Sequence, residues 1–127
     1  MERIRITTEK AFVSKSPLTQ AIRVGSLLFV SGQVPVDSAK MTVVSENFAD
    51  QTRHVLNSLK AIVEAAGASL AAVVKATVFL TDMARFQEMN GIYNEYFPQD
   101  PPTRTCIGVK ELPRGSQIEI EAIAVLD

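Results

Sequence analysis

Arg104 and Cys106 stand two residues apart in the run Thr103-Arg104-Thr105-Cys106-Ile107, close to the end of the chain. In an extended backbone such residues leave the same face, so a guanidinium and a thiol would share one surface. Further on, Ile118 to Val125 alternates without a break. Ile118, Ile120, Ala122 and Ala124 fall on one side, and Glu119, Glu121, Ile123 and Val125 on the other. Pro113, Gly115 and Ser116 lie between the two runs and carry turn chemistry. The two runs are therefore expected to pair as a hairpin that gathers an arginine, a thiol and a carboxylate. Arginine grips a carboxylate through two parallel N–H bonds and keeps its charge at any physiological pH. A neighbouring glutamate is then free to handle protons and water. The chemistry suggested is the binding of a small acid beside a general acid/base, with Glu119 and Glu121 equal candidates for the second role.

Each of these residues also has a plainer reading. Arg104 follows Pro101-Pro102-Thr103 at a strand start, where an exposed salt bridge is common. Cysteine is more often a small buried hydrophobe than a reactive group, and only its register with Arg104 singles Cys106 out. Glu119 and Glu121 fit a solvated strand face. However, Ile123 and Val125 continue that face and imply that it becomes buried, and a buried carboxylate needs a partner. Asn90 falls in line with Phe86, Tyr93 and Phe97, an amide among core residues, where an internal hydrogen bond is the ordinary explanation. His54 shares a helix face with Asp50, Asn57 and Ser58 and reads as solvated and idle, as does Lys60.

The elements that would position these residues follow from periodicity. Ile4 and Ile6 alternate with Arg3, Arg5 and Thr7 as a short first strand. Thr8 to Gln20, containing Pro17, is a polar loop. Ala21–Val24 and Leu27–Ser31 read as two strands joined by a tight Gly25-Ser26 turn, and the second runs into Gly32-Gln33-Val34-Pro35, where glycine permits close approach of a ligand or another strand. From Asn47 to Ala66 the apolar residues recur at steps of three, four and seven, predicting a helix with Asn47 as N-cap and Gly67 just past its end. Val73–Leu80 is a β-branched strand, and Asp82 is placed to cap a second helix from Met83 to Phe97, ahead of Pro98. The order ββ(β)αβαββ predicts a mixed sheet with helices on one face. With no further helix to cover the other face, a second copy of the chain is the economical cover, and a site at the subunit boundary follows.

The 127 residues, 46% hydrophobic and 21% charged, suit one globular domain spanning 1–127. Thirteen Lys plus Arg against 14 Asp plus Glu give no electrostatic bias toward nucleic acid or anionic membrane. No apolar run approaches a membrane span and the N-terminal residues lack a signal-peptide core, so a soluble cytoplasmic protein is expected. One cysteine and one histidine are too few for a Cys/His zinc site. Gly32, Gly91 and Gly108 form no phosphate-binding motif, so neither a metal nor a nucleotide cofactor is expected.

Four stretches together resemble the RidA/YjgF family of reactive intermediate deaminases: SGQVPVD at 31–37, KAIVEAAGASLAAVVKATVFLTDM at 60–83, the 90–97 segment, and above all PPTRTCIGVKELPRGSQIEIEAIAV at 101–125. The resemblance implies a chorismate-mutase-like α+β fold, two helices on one face of a mixed sheet, assembled as a homotrimer with clefts between subunits. It implies metal-free hydrolysis of 2-aminoacrylate and related enamines or imines to 2-keto acids and ammonia. By the same resemblance Arg104 binds the substrate carboxylate, Cys106 lines the cleft and Glu119, rather than Glu121, positions water. Ser31, Gly32 and Gln33 offer groups to the ligand, and Asn90 supports the cleft. One departure stands out. Where deaminases of the family commonly read G-P-Y-[ST]-Q-A, this chain reads Ser16-Pro17-Leu18-Thr19-Gln20-Ala21, and Leu18 removes a hydroxyl from the cleft rim. A hydrogen bond to a charged ligand is worth roughly 1.5–3 kcal/mol, enough to slow the reaction or change its substrate. That departure keeps a second reading open, a trimer that binds small carboxylates without turnover. A third reading, a ribonuclease, translation inhibitor or chaperone-like module, finds little support in the near-neutral charge and sparse aromatics.

Overall fold

The apolar stripe that begins at Phe48 folds as helix α1 (Phe48–Ala65), in a computed structural model that describes all residues from 1 to 127. Asn47 caps it as expected, its side chain accepting the Asp50 N–H, and Gly67 takes the left-handed conformation just beyond its end (φ 89°). The strands are β1 (Arg3–Ile6), β2 (Ala21–Val24), β3 (Leu27–Gln33), β4 (Val73–Leu80), β5 (Thr103–Gly108) and β6 (Ile118–Val125). The second helix, α2, runs from Phe86 to Tyr96. It starts three residues later than the sequence pattern suggests, because Asp82 accepts the Ala84 N–H and closes a separate 3-10 turn over Met83–Arg85.

The six strands form one mixed sheet in the order β1-β2-β3-β6-β4-β5, in which only β4 and β5 are parallel. The expected hairpin between the last two strands is absent: β4 lies between them. Alternation reports the face a residue occupies and says nothing of which strand lies beside it. Here α2 makes the crossover that a parallel β4–β5 pair requires. The polar β5 takes the sheet edge, where charge is tolerated. The connection back to β6 holds two left-handed residues, Arg114 and Gly115, and delivers the most regular apolar strand to the middle of the sheet.

Both helices lie on one face. Leu28, Ala76, Val78, Leu80, Ile118, Ile120 and Ala124 from the sheet are wholly buried beneath Val55, Leu56, Leu59, Ile62 and Val63 of α1 and Met89 of α2. Each large side chain so buried contributes about 1.5–3 kcal/mol. Gln51 is fully buried in α1 but fully used: its Oε1 accepts the Gln117 N–H at 2.8 Å and its Nε2 donates to Ser45 O at 2.8 Å, tying α1 to the entrance of β6. Gln20 does the same for the 8–20 loop, donating to the carbonyls of Thr8 and Phe12 and accepting the Thr8 N–H.

The other face carries no element. Leu27 (42% exposed), Phe29 (44%) and Val125 (45%) stand on it, with Ile22 and the half-buried Ile123 between them and Thr77, Glu121, Phe79 and Glu119 continuing along β4 and β6. The burial expected from Ile123 and Val125 is thus not supplied within one chain. No helix is long and apolar enough to cross a membrane.

Candidate functional site

The ladder registers divide the predicted site residues between the two faces of the sheet. Arg104 and Cys106 pair with Ala76 and Val78 of β4, whose side chains are buried under the helices. Glu119 and Glu121 pair with Phe79 and Thr77, which point the other way. Within one chain, therefore, Arg104 and Glu119 occupy opposite sides of the sheet.

On the helix side, at the β5 edge, the Arg104 guanidinium is half-buried against α2. Its Cζ lies 5.5 Å from the Phe86 ring centroid and 4.9 Å from that of Tyr93, and its one side-chain contact of hydrogen-bond type is to the Met89 sulfur at 3.9 Å. The ion pairs of the molecule are Arg53–Glu95 and Arg85–Glu88, so no carboxylate neutralises Arg104. Cys106 is half-buried beside it. Burial pushes its thiol up, and the Arg104 charge offsets this only in part, leaving a thiol and not a thiolate at neutral pH. Asn90 lies on the α2 face between Phe86 and Tyr93. Its Oδ1 has no hydrogen-bond partner, and neither has the Tyr93 hydroxyl, so the internal hydrogen bond expected for Asn90 is not made by that oxygen. Burial holds the Tyr93 phenol above its usual range, with Arg104 acting in the opposite sense.

On the open side, Glu119 lies against Gly32. Val30 faces Ala122 and Gln33 faces Ile120, so Ser31 and Gly32 together oppose Glu121 in a bulge. A Cβ added to Gly32 would sit 1.9 Å from Glu119 Oε2, which explains why the strand carries glycine there. Burial, and then the charge of Glu121, raise the Glu119 carboxyl above the ordinary glutamate range. Ser31 donates its N–H to Gln20 O (2.9 Å) and its hydroxyl to Thr19 O (2.6 Å), pinning the loop that carries Leu18. Gln33, just past the bulge, pairs with Ile120 and so turns to the helix side, where it is buried, donates to Ser31 O at 2.9 Å, and leaves Oε1 without a partner. Leu18 is 49% exposed on that loop.

The fold brings Arg104, Cys106 and Asn90 to one place and Glu119, Gly32 and Ser31, with Leu18 on the adjoining loop, to another, while Gln33, paired with Ile120, turns to the helix side. Phe86 and Tyr93 were legible only as core, although their spacing of seven on either side of Asn90 marks them as one helix face. His54 is not the solvated residue the pattern suggests. It is half-buried, its Nδ1 has no partner, and burial lowers its pKa against the opposing pull of Asp37.

A family model described as endoribonuclease L-PSP matches residues 8–126. A RutC family protein of Pyrococcus horikoshii is 48% identical over 119 residues, 94% of each chain. The 2-iminobutanoate/2-iminopropanoate deaminase of Salmonella typhimurium is 42% identical over 123 residues, 94% of this chain and 95% of that one. The crystal structure of E. coli TdcF with bound serine matches with a TM-score of 0.91 at 38% identity, covering 98% of this chain and 99% of that chain.

Proposed function

This chain belongs to the RidA/YjgF family, the endoribonuclease L-PSP family of the matching model, and from that premise we propose that it hydrolyses reactive 2-imino acids, and their enamine tautomers, to 2-keto acids and ammonia. The reading rests on one observation: Arg104 is a fixed, half-buried cation with no carboxylate partner. A small carboxylate supplies what it lacks. Because Glu119 faces the other way in the same chain, the reacting cleft takes Arg104, Cys106 and Asn90 from one copy and Glu119, Ser31, Gly32 and Leu18 from another, with Gln33 backing the bulge from the helix side. The apolar open face is the surface by which copies join, and a closed homotrimer satisfies every such half-site.

In this cleft Arg104 binds the substrate carboxylate and holds C2 of the imine toward Glu119. A water held by Glu119 adds its oxygen to C2 and yields a proton to the carboxylate, while the C=N electron pair moves to nitrogen, which takes up that proton from Glu119. The resulting carbinolamine collapses: Glu119 takes the hydroxyl proton as the oxygen re-forms C=O, the C–N bond breaks, and Glu119 passes that proton to the departing nitrogen, which leaves as ammonia. Imine and water thus become keto acid and ammonia. A carboxyl raised toward neutrality suits a group that must both take and return a proton. The substrate is already reactive, so placement and charge are what the protein must add. Cys106, a neutral thiol, packs the cleft wall. The 8–20 loop puts Leu18 at the rim.

The decisive assay couples a serine or threonine dehydratase to the purified protein and follows decay of 2-iminopropanoate. Wild-type protein should accelerate decay and Arg104→Ala should not, and full activity in that variant would overturn the mechanism. The exposed Leu18, in place of a cleft tyrosine, favours a second reading in which the same cleft binds a keto acid without turnover. Saturable 2-ketobutyrate binding without faster ammonia release from iminopropanoate would establish that reading instead.

A further inference from the structure

Phe86 and Tyr93 are seven residues apart on α2, two helical turns, so their Cα atoms lie about 10 Å apart along the helix axis on one face. The Arg104 guanidinium reaches both, at 5.5 and 4.9 Å from the centroids, and one of its nitrogens meets the Met89 sulfur between them. Tyr93 is itself braced, its ring 4.7 Å from that of Phe97 and its side chain buried. A planar cation laid across two aromatic faces is attracted by both and loses its freedom to rotate. Only one of its five N–H donors is engaged, and by a weak acceptor.

From this geometry we infer that Phe86 and Tyr93 are positioning residues: an aromatic cradle on α2 presents Arg104 as a preset receptor for the substrate carboxylate and so determines the selectivity of the cleft for anions. The inference rests on the proposed role of Arg104. It adds that the cation's orientation is set by the helix, where a salt bridge would have neutralised the charge needed for the ligand. Aromatic rings can hold a guanidinium without cancelling it. The Tyr93 hydroxyl, which has no partner, is not the part of the residue that does this, and the ring is.

The test compares binding of 2-ketobutyrate with that of its uncharged amide, 2-oxobutanamide, by calorimetry on the assembled protein. Losing one ring should weaken the keto acid about ten-fold in Phe86→Leu and in Tyr93→Leu. Affinity for the amide should hold, so that discrimination between the two ligands falls by the same factor. Tyr93→Phe restores the ring without the hydroxyl and should recover what Tyr93→Leu loses. Phe86 is only half-buried, so Phe86→Leu keeps the test sound even if Tyr93→Leu folds poorly. Unchanged keto-acid affinity in Phe86→Leu, or equal loss of acid and amide, would overturn the cradle. So would a Tyr93→Phe variant as weak as Tyr93→Leu. Binding indifferent to Arg104→Ala would overturn the underlying functional reading, whereas binding that needs Arg104 but ignores both rings would overturn the cradle alone.

Discussion

An arginine without a carboxylate, and a glutamate lying on a glycine, are where single substitutions should be most telling. Replacing Arg104 by alanine should lower kcat/KM about a hundred-fold, and lysine should not rescue it, because an ammonium cannot reproduce the two parallel N–H bonds of the fork. Gly32→Ala drives a methyl into the space held by Glu119 Oε2. The carboxylate must move by an ångström or more, and a displacement of that size typically costs about a hundred-fold in rate. Far-UV circular dichroism should show the fold intact while activity is lost. The pH profile follows from the raised Glu119 carboxyl. Acting as a base, it must be ionised, so activity should rise with pH through a value above the ordinary glutamate range. Glu121→Gln removes the like charge beside it and should move that limb downward. Stability has a matching sign. The folded protein holds the Glu119 proton more tightly than the unfolded chain, so Glu119 costs stability as pH rises from the unfolded glutamate pKa through the higher folded one. Glu119→Gln should therefore melt higher than wild type at pH 7, and the difference should vanish in acid, as scanning calorimetry at several pH values would show.

At the scale of elements, alternation and periodicity made most of the secondary structure readable. The α1 stripe with Asn47 and Gly67 at its ends, the Gly25-Ser26 hairpin and the two faces of β6 all follow from residue spacing. Partner choice did not follow. A strict alternation at 118–125 fixes which side Glu119 takes, yet the sequence holds no local record that β4 would enter between β5 and β6. The expected gathering of Arg104 and Glu119 in one hairpin failed for that reason, since both strands flank β4 with those two side chains on opposite faces. The late start of α2 was hidden because Asp82 caps a 3-10 turn as readily as an α-helix. Gln51 was also invisible as a fastener, being a polar residue inside an apolar stripe whose partners are distant in sequence. Gln51→Leu leaves the Gln117 N–H and the Ser45 carbonyl without partners and should destabilise the protein by about 2 kcal/mol, measured as a lower urea midpoint with unchanged slope.

For the whole molecule, the proposed chemistry turns on the open face. A row running from Val125 and Leu27 through Phe29 and Ile123 sets large apolar side chains side by side in the open, the kind of contiguous patch that marks a protein interface, and it lies on the same side of the sheet as Glu119. Phe29→Glu should therefore dissociate the proposed assembly, seen by sedimentation as a shift to single chains, and should abolish activity although Arg104 is on the other side of the sheet. The most direct test mixes chains. Arg104→Ala and Glu119→Gln should each be inactive alone, and co-refolding them in equal amounts should restore activity in about a quarter of the clefts of a closed ring, those that draw both native residues from different copies. Recovery of that order is the result expected if each cleft joins the helix side of one chain to the open side of the next. A mixture as inactive as its parents would contradict it.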